Sequence, residues 1–329
     1  MTPHAAGRLP HLTRVGLGGA QLGNLSREID DEQAEAVVDA AWAEGIRSFD
    51  TAPHYGLGLS ERRLGRALRK YPRDEYVLST KVGRLLVDSP ETAHRLDDGG
   101  FAVPAAMRRT WDFTRDGILR SLEGSLDRLG LDRVDIVYLH DPDDHWQVAS
   151  TEGMATLIEL RDQGAVTAVG VGMNQSAMPA EFIRRSDIDV VMLAGRYTLL
   201  EQPALRDLLP LAAQRGVAVV NVGVYNSGLL ARARVSPGAT YDYLPAPADL
   251  VERAEAIADI CDRWGVSLPD VAMQFAIGHR AIASAVVGCR TPEQVVDAVA
   301  RASAVIPPQL WRDLVQAGLL DADAEATLT

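Results

Sequence analysis

The chain has 329 residues, 47% of them hydrophobic, and a formal net charge of −12, enough apolar material for two ordinary domains or one closed α/β barrel. The acidic balance argues against nucleic acid and anionic lipid as partners, and no run of 18 apolar residues is present to cross a membrane. The opening MTPHAAGRLPHLTRV lacks the apolar stretch of a signal peptide, and Cys261 and Cys289 form no CxxC or zinc spacing, so a reduced, cytoplasmic protein is expected.

In chain order, TRVGLG (13–18) reads as a first strand. The run that follows, GLGGAQ (16–21), places Gln21 where a dinucleotide-binding GxGxxG needs its third glycine. DDEQAEAVVDAAWAEG (30–45) has acids in its first turn and a glycine stop, and reads as a helix. GIRSFD (45–50) is a strand that ends in Asp50; Tyr55 follows in a glycine-rich turn, before a charged helix with Ser60 as its cap and Glu61 in its first turn. EYVLSTK (75–81) is a strand that ends in Lys81, and the long segment 83–113 comes next. In the helix 114–130, Thr114 is the expected cap, and Ile118, Leu122, Leu126 and Leu129 share one face. VDIVYLH (134–140) is a strand that ends in His140. Further strands are expected at 166–172, 188–194, 217–223 and 283–288, with helices over 201–216 and 249–265 and a second long segment at 224–248.

Eight apolar strands, each followed by a helical pattern, predict a single-domain (β/α)8 TIM barrel over residues 1–329. The alternative, an open doubly wound sheet, lacks its phosphate-binding fingerprint. In a parallel barrel all strand C-termini open on one face, so Asp50, Tyr55, Lys81 and His140 converge there, with the two long segments around them. That set suits proton transfer at a carbonyl or hydroxyl. A lysine ammonium favours the phenolate form of a nearby tyrosine, an aspartate keeps the lysine charged, and a histidine orients the substrate oxygen. No side chain supplies a hydride, so a nicotinamide, NAD or NADP, is implied. No metal is expected, since Pro142 and the spacing of HDPDDH (140–145) break a metal-ligand pattern.

The stretches GLGGAQLGN, FDTAPHYGLGLSERRLGRAL, VLSTKVGR, SLDRLGLDRVDIVYLHDPD, VGMNQ and VVGCRTPEQV resemble, in order, those of the aldo-keto reductase family. The resemblance implies the same barrel, with Asp50, Tyr55, Lys81 and His140 as the catalytic tetrad. It also implies NAD(P) held by Gly18, Asn174, Gly223, Gly288, Arg290 and Gln294. Four positions depart from the family pattern: Met173 stands where serine is common, Val222 where an aromatic ring often stacks on the nicotinamide, and Gly288 and Gln294 at basic positions of NADP-binding members. Arg290 alone is left to meet a 2′-phosphate, so NAD preference or dual use is expected. GLGLSERRLG, HDPDDHW, MNQ and AGRYTLLEQ are similar to the aldose 1-dehydrogenase branch, which implies an L-fucose-like or D-threo-aldose sugar oxidised at its anomeric carbon to the lactone. His54, Trp111, Asp141, Trp146 and Asn226 are the expected sugar contacts. Pyridoxal 4-dehydrogenase or general aldehyde and ketone reduction, a non-catalytic NAD(P)-binding regulatory subunit, and a carboxylate hydrolase using Asp50 and Glu61 are the alternatives.

Overall fold

A computed structural model describes residues 8–242 and 244–325; residues 1–7, Tyr243 and 326–329 of the expected domain lie outside them. The chain runs β1 (Val15–Gly18), α1 (Asp31–Ala43), β2 (Ser48–Asp50), α2 (Leu59–Leu68), β3 (Val77–Val82), β4 (Arg84–Asp88), β5 (Met107–Trp111), α3 (Arg115–Leu129), β6 (Ile136–His140), α4 (Trp146–Val148) and α5 (Met154–Asp162). It continues through β7 (Ala168–Met173), α6 (Ala177–Arg185), β8 (Val190–Ala194), α7 (Leu208–Arg215), β9 (Ala218–Val222), β10 (Thr240–Tyr241), β11 (Leu244–Pro245), α8 (Ala248–Arg263), α9 (Leu268–Gly278), β12 (Ile282–Gly288), α10 (Pro292–Arg301), α11 (Pro308–Gln316) and α12 (Ala322–Glu325). The strands β1, β2, β3, β6, β7, β8, β9 and β12 pair in parallel and close into a barrel, with β1 joined to both β2 and β12. This is the expected TIM barrel, and closure rules out the doubly wound sheet.

Strand alternation decides what faces the barrel axis. In β2 Phe49 points outward into the layer between sheet and helices, as do Leu78 in β3 and Val137 and Leu139 in β6. Their neighbours in sequence therefore point inward. Ile136 and Tyr138 join Val190, Met192, Val220 and Val286 in an inner apolar cluster, and the same parity turns Asp50, Lys81 and His140 toward the axis at the strand ends. A cavity of about 10 Å³, no larger than a water molecule, lies below them beside Ser48, Ser79 and Ser284.

Local chemistry sets the helix ends. Asp30 caps α1 by accepting from the Gln33 N–H, and Thr114 caps α3 by accepting from the Gly117 N–H. The expected cap on α2 is corrected: Gly58, at φ +81°, holds that position, and Ser60 is buried, donating its Oγ–H to the Gly19 carbonyl at 2.7 Å. A left-handed start suits glycine, and Ser60 instead ties α2 to the first strand-to-helix turn. The periodic stretch 201–216 divides into a 3-10 turn at Pro203–Leu205 and α7, with the Asp207 carboxylate capping α7.

The two long segments carry their own structure. After β3, Gly83 turns the chain at φ +97° against the Phe113 ring, and β4 and β5 pair as an antiparallel hairpin over the barrel mouth. Between those strands, residues 89–106 form a strap fastened to the loop after β1. Leu25 bridges Phe101, the Ser26 N–H donates to the Gly100 carbonyl at 2.8 Å, and the Ala102 N–H donates to the Asn24 carbonyl at 2.9 Å. In the second segment, β10 and β11 make a short hairpin. Among the described residues no helix is long and apolar enough to cross a membrane.

Gly65 marks where α2 meets α3: a Cβ there would lie 2.0 Å from the Leu129 carbonyl oxygen. Helix propensity alone favours alanine over glycine by up to about 1 kcal/mol, whereas backbone overlap costs about 1–3 kcal/mol. Gly65→Ala should therefore lower the urea midpoint at unchanged slope. A raised midpoint would mean that the two helices are not in contact at this point.

Candidate active site

At the C-terminal mouth, Lys81 is 2% exposed and Asp50 is 3% exposed. The Lys81 ammonium donates to Asp50 Oδ2 at 2.6 Å and to the Thr51 carbonyl at 3.1 Å, while the Ser79 hydroxyl donates to Asp50 Oδ1 at 2.7 Å. Ser79 pairs with Asp50 in the ladder, so one register fixes both. The Lys81 ammonium lies 4.6 Å from the Tyr55 ring centroid and is hydrogen-bonded to the Tyr55 side chain. Burial opposes the lysine charge, but Asp50 and Tyr55 more than offset it and raise its pKa above the ordinary lysine value.

His140, at the end of β6, stands across from Tyr55 with ring centroids 6.1 Å apart and planes at 85°. Its Nε2 is 3.6 Å from Asp141 Oδ2, and its Nδ1 is buried without a partner. Burial, then the positive charges of Arg84 and Lys81, hold its pKa well below 6.5. His54 lies 5.6 Å from His140, and burial, then Arg84 and Arg109, take its pKa from 6.5 to about 2. Both imidazoles are therefore neutral at neutral pH. Of the four residues singled out for chemistry, all four come together.

The β4–β5 hairpin adds residues that the sequence reading missed. Arg84 is ion-paired to Asp141. Arg109 is paired to both oxygens of Asp97, at 2.6 and 2.8 Å, and donates to the His54 carbonyl. Phe101 from the strap packs 5.2 Å from His54 and 6.0 Å from Tyr55. Arg84 sits in VLSTKVGR, three residues after Lys81, and a glycine turn before a second apolar run was the signal that could have placed it. A cleft of about 480 Å³ opens beside His140, lined by Arg84, Trp111, Asp141, Asp143, Asp144, His145 and Asn174.

Trp111 and Asp141 thus line the cleft, and His54 stands beside His140. Two other expected sugar contacts are corrected. The Trp146 ring packs edge-on against Phe182 at 4.9 Å, with Arg185 over its face, so apolar packing on α6 holds it away from the cleft lining. Asn226 does not line the cleft either: it lies beyond β9 in a tight turn at φ +45°, 4% exposed, with both side-chain amide atoms unpartnered.

The expected cofactor residues spread around the remaining rim. Gly18 pairs with both Asp50 and Gly288 in the sheet, and Asn174 follows β7, exposed at the cleft. Gly223, at φ +68°, directly follows β9. A Cβ at Gly288 would overlap the Gln21 side chain, whose buried Oε1 has no partner. Arg290 donates to the Leu25 carbonyl at 2.7 Å, and its pKa is lowered by burial and then by the charge of Arg27. Gln294 Oε1 accepts from the Arg290 N–H at 2.7 Å beside the Thr291 cap of α10. The unpartnered Gln21 Oε1 and the unpartnered Asn226 amide are polar atoms that an elongated polar ligand such as a dinucleotide would satisfy.

The aldo/keto reductase family model matches residues 14–318. The chain is 44% identical to a D-threo-aldose 1-dehydrogenase from a Pseudomonas species, over 97% of this chain and 98% of that protein. It is 37% identical to a pyridoxal 4-dehydrogenase from Microbacterium luteolum, over 94% and 95% of the two. An aldo-keto reductase from Bacillus halodurans superposes with a TM-score of 0.74 at 26% identity, covering 95% of this chain and 94% of that one. The chain belongs to the aldo/keto reductase family and is an oxidoreductase.

The neutral histidines have a pH consequence. Below about 6.5 an unfolded histidine takes up a proton that the buried one refuses, so stability falls with acid by up to about 1.4 kcal/mol per pH unit for each such group. The raised Lys81 works the other way: its stabilisation is present below the unfolded lysine value of about 10.4 and is lost above it. Urea midpoints measured from pH 6.5 to 4.5 should fall, and His54→Asn should reduce the slope by close to one proton. An unchanged slope would show that His54 is not held neutral.

Proposed function

We propose that this aldo/keto reductase oxidises the anomeric carbon of an aldose, an L-fucose-like or D-threo sugar, to its lactone with NAD(P). The observation that carries the reading is the Asp50–Lys81–Tyr55 chain facing His140 across one mouth, open to a polar cleft with an exposed indole. The 44% identical relative is named for the same class of reaction. The 37% identical relative and the Trp111 face, which suits a flat ring, support pyridoxal as a second substrate class.

Gly18, Asn174, Gly223, Gly288, Arg290 and Gln294 would hold the dinucleotide, joined by Gln21 and Asn226. When bound, its nicotinamide supplies the hydride acceptor that no side chain offers. Tyr55 Oη removes the proton from the substrate hydroxyl, and Lys81, hydrogen-bonded to Tyr55, stabilises the phenolate that receives it. Asp50 keeps that ammonium charged and fixed. Neutral His140 hydrogen-bonds the same substrate oxygen and orients it without competing as an acid. Phe101 shields the pair from water. The two buried thiols, free of disulfides, accord with a cytoplasmic setting.

Tyr55→Phe should lower NAD-dependent oxidation of L-fucose or D-arabinose by about 10²–10⁴-fold, with dinucleotide binding retained by fluorescence titration. Activity within threefold of wild type would exclude Tyr55 as the acid–base group, and a wild type that binds the dinucleotide but turns over neither sugars nor pyridoxal would favour a regulatory subunit. Arg290 is already bound to the Leu25 carbonyl, and Arg27 is its one charged neighbour where several charged contacts would serve a 2′-phosphate. NADH should therefore bind at least as tightly as NADPH in the same titration. Tenfold tighter NADPH binding would reverse this preference.

A further inference from the structure

Gly83 sends the chain out of the barrel, and Arg84 at once brings a guanidinium back over the mouth. Arg84 is 9% exposed, pairs through Nη2 with Asp141 Oδ2, and has a buried Nε with no hydrogen-bond partner. Leaving such a donor unmade is costly to the fold. The hairpin does not require it, because the backbone ladder from Arg84–Trp111 to Asp88–Met107 holds β4 to β5. Asp141 is held in the left-handed region at φ +41°, which is strained for a residue other than glycine. Its side chain remains 31% exposed, so the carboxylate is paired yet still open to the cleft. The Arg84 guanidinium lies 5.4 Å from the ring centroid of Trp111, which is 43% exposed. A donor, an acceptor and an aromatic face therefore meet in one cleft, and His140 Nε2 is 3.6 Å from the same Asp141 oxygen.

We propose that Arg84 and Asp141 form a hydroxyl clamp that selects polyhydroxylated substrates. Arg84 donates to one ring hydroxyl, Asp141 accepts from its neighbour, and Trp111 covers the C–H face of the ring. The clamp rests on the aldose reading and names the group that enforces it. Sites built to hydrogen-bond substrate hydroxyls discriminate strongly, because an analogue without them leaves buried polar groups unpaired. A simple aldehyde reaches Tyr55 and His140 but leaves the clamp unfilled. Adjacency in sequence to His140 keeps the clamp in register with the reacting oxygen.

The test compares kcat/KM for L-fucose oxidation and for propanal reduction in wild type, Arg84→Met and Arg84→Met/Asp141→Asn; the double variant leaves no unpaired buried charge. The ratio of sugar to propanal efficiency should fall at least tenfold in both variants, mainly through the KM for sugar. A ratio within twofold of wild type would overturn the clamp. Inhibition of propanal reduction by 1,5-anhydro-L-fucitol, which lacks the anomeric hydroxyl, reads the clamp without sugar turnover. Its inhibition constant should rise at least tenfold in the variants, and an unchanged constant, or no inhibition of wild type, would also overturn the proposal. Should wild type be inhibited in this way yet oxidise no aldose, the aldose reading fails while the clamp stands.

Discussion

An ammonium buried in the mouth of a closed barrel is the constraint from which the rest follows. A lone charge in that position would be driven to neutralise or to unfold the site. Here the Asp50 carboxylate meets it at 2.6 Å, and Ser79 fixes the other carboxylate oxygen. All three groups depend on strand parity. A slip of one residue in β3 would turn Thr80 inward and send Lys81 into the layer occupied by Leu78, Phe49 and the helices. Register and chemistry are thus one requirement: the sheet cannot close correctly without assembling the pair, and removing either partner leaves a buried charge worth about 3–5 kcal/mol of destabilisation.

A second circle of charge surrounds the first. Arg84 and Arg109 come from the two strands of the hairpin, and each is matched by an acid from elsewhere, Asp141 after β6 and Asp97 in the strap. The matched pairs limit the cost of burying guanidiniums, yet burial first, and then their field added to that of Lys81, disfavours a proton on His54 or His140. A neutral imidazole can position an oxygen, whereas an imidazolium would compete as an acid. The neutrality of His140 is therefore owed first to its burial in the barrel mouth and then to the charges that the hairpin adds.

The eight barrel strands were legible because strands buried on both faces read as continuous apolar runs. The four central residues were legible because each closes or follows such a run. Side chains beyond the strand ends were not. Trp146 and Asn226 follow barrel strands as Asp141 does, but farther along the chain, and their direction depends on Phe182 in α6 and on a tight turn, neither of which leaves a periodic trace. Ser60 looked like a cap because serine usually is one, and a left-handed glycine two residues earlier took that place. Arg84 and Arg109 were hidden for a related reason. In an antiparallel hairpin an arginine reads as an exposed edge residue, and only the strap and the barrel rim beneath make these two interior.

The polar interior of the mouth is itself an argument for turnover over simple nucleotide binding. Replacing a buried ion pair by apolar side chains of similar volume is often neutral or stabilising by about 1–4 kcal/mol, and an orphaned buried donor or acceptor costs about 1–3 kcal/mol. A barrel that only held a dinucleotide would need the rim at β1, β7, β9 and β12. It would gain stability by filling the space around Lys81 and His140 with the Val, Ile and Met that line the axis just below. Instead the mouth keeps a charged lysine against a tyrosine, and two histidines with unpartnered Nδ1 atoms. The two Nδ1 atoms are hydrogen-bonding capacity that the fold itself leaves unused. The energy withheld from folding is then available to bind and orient the reacting atoms, which is where an enzyme, unlike a passive binder, has use for it.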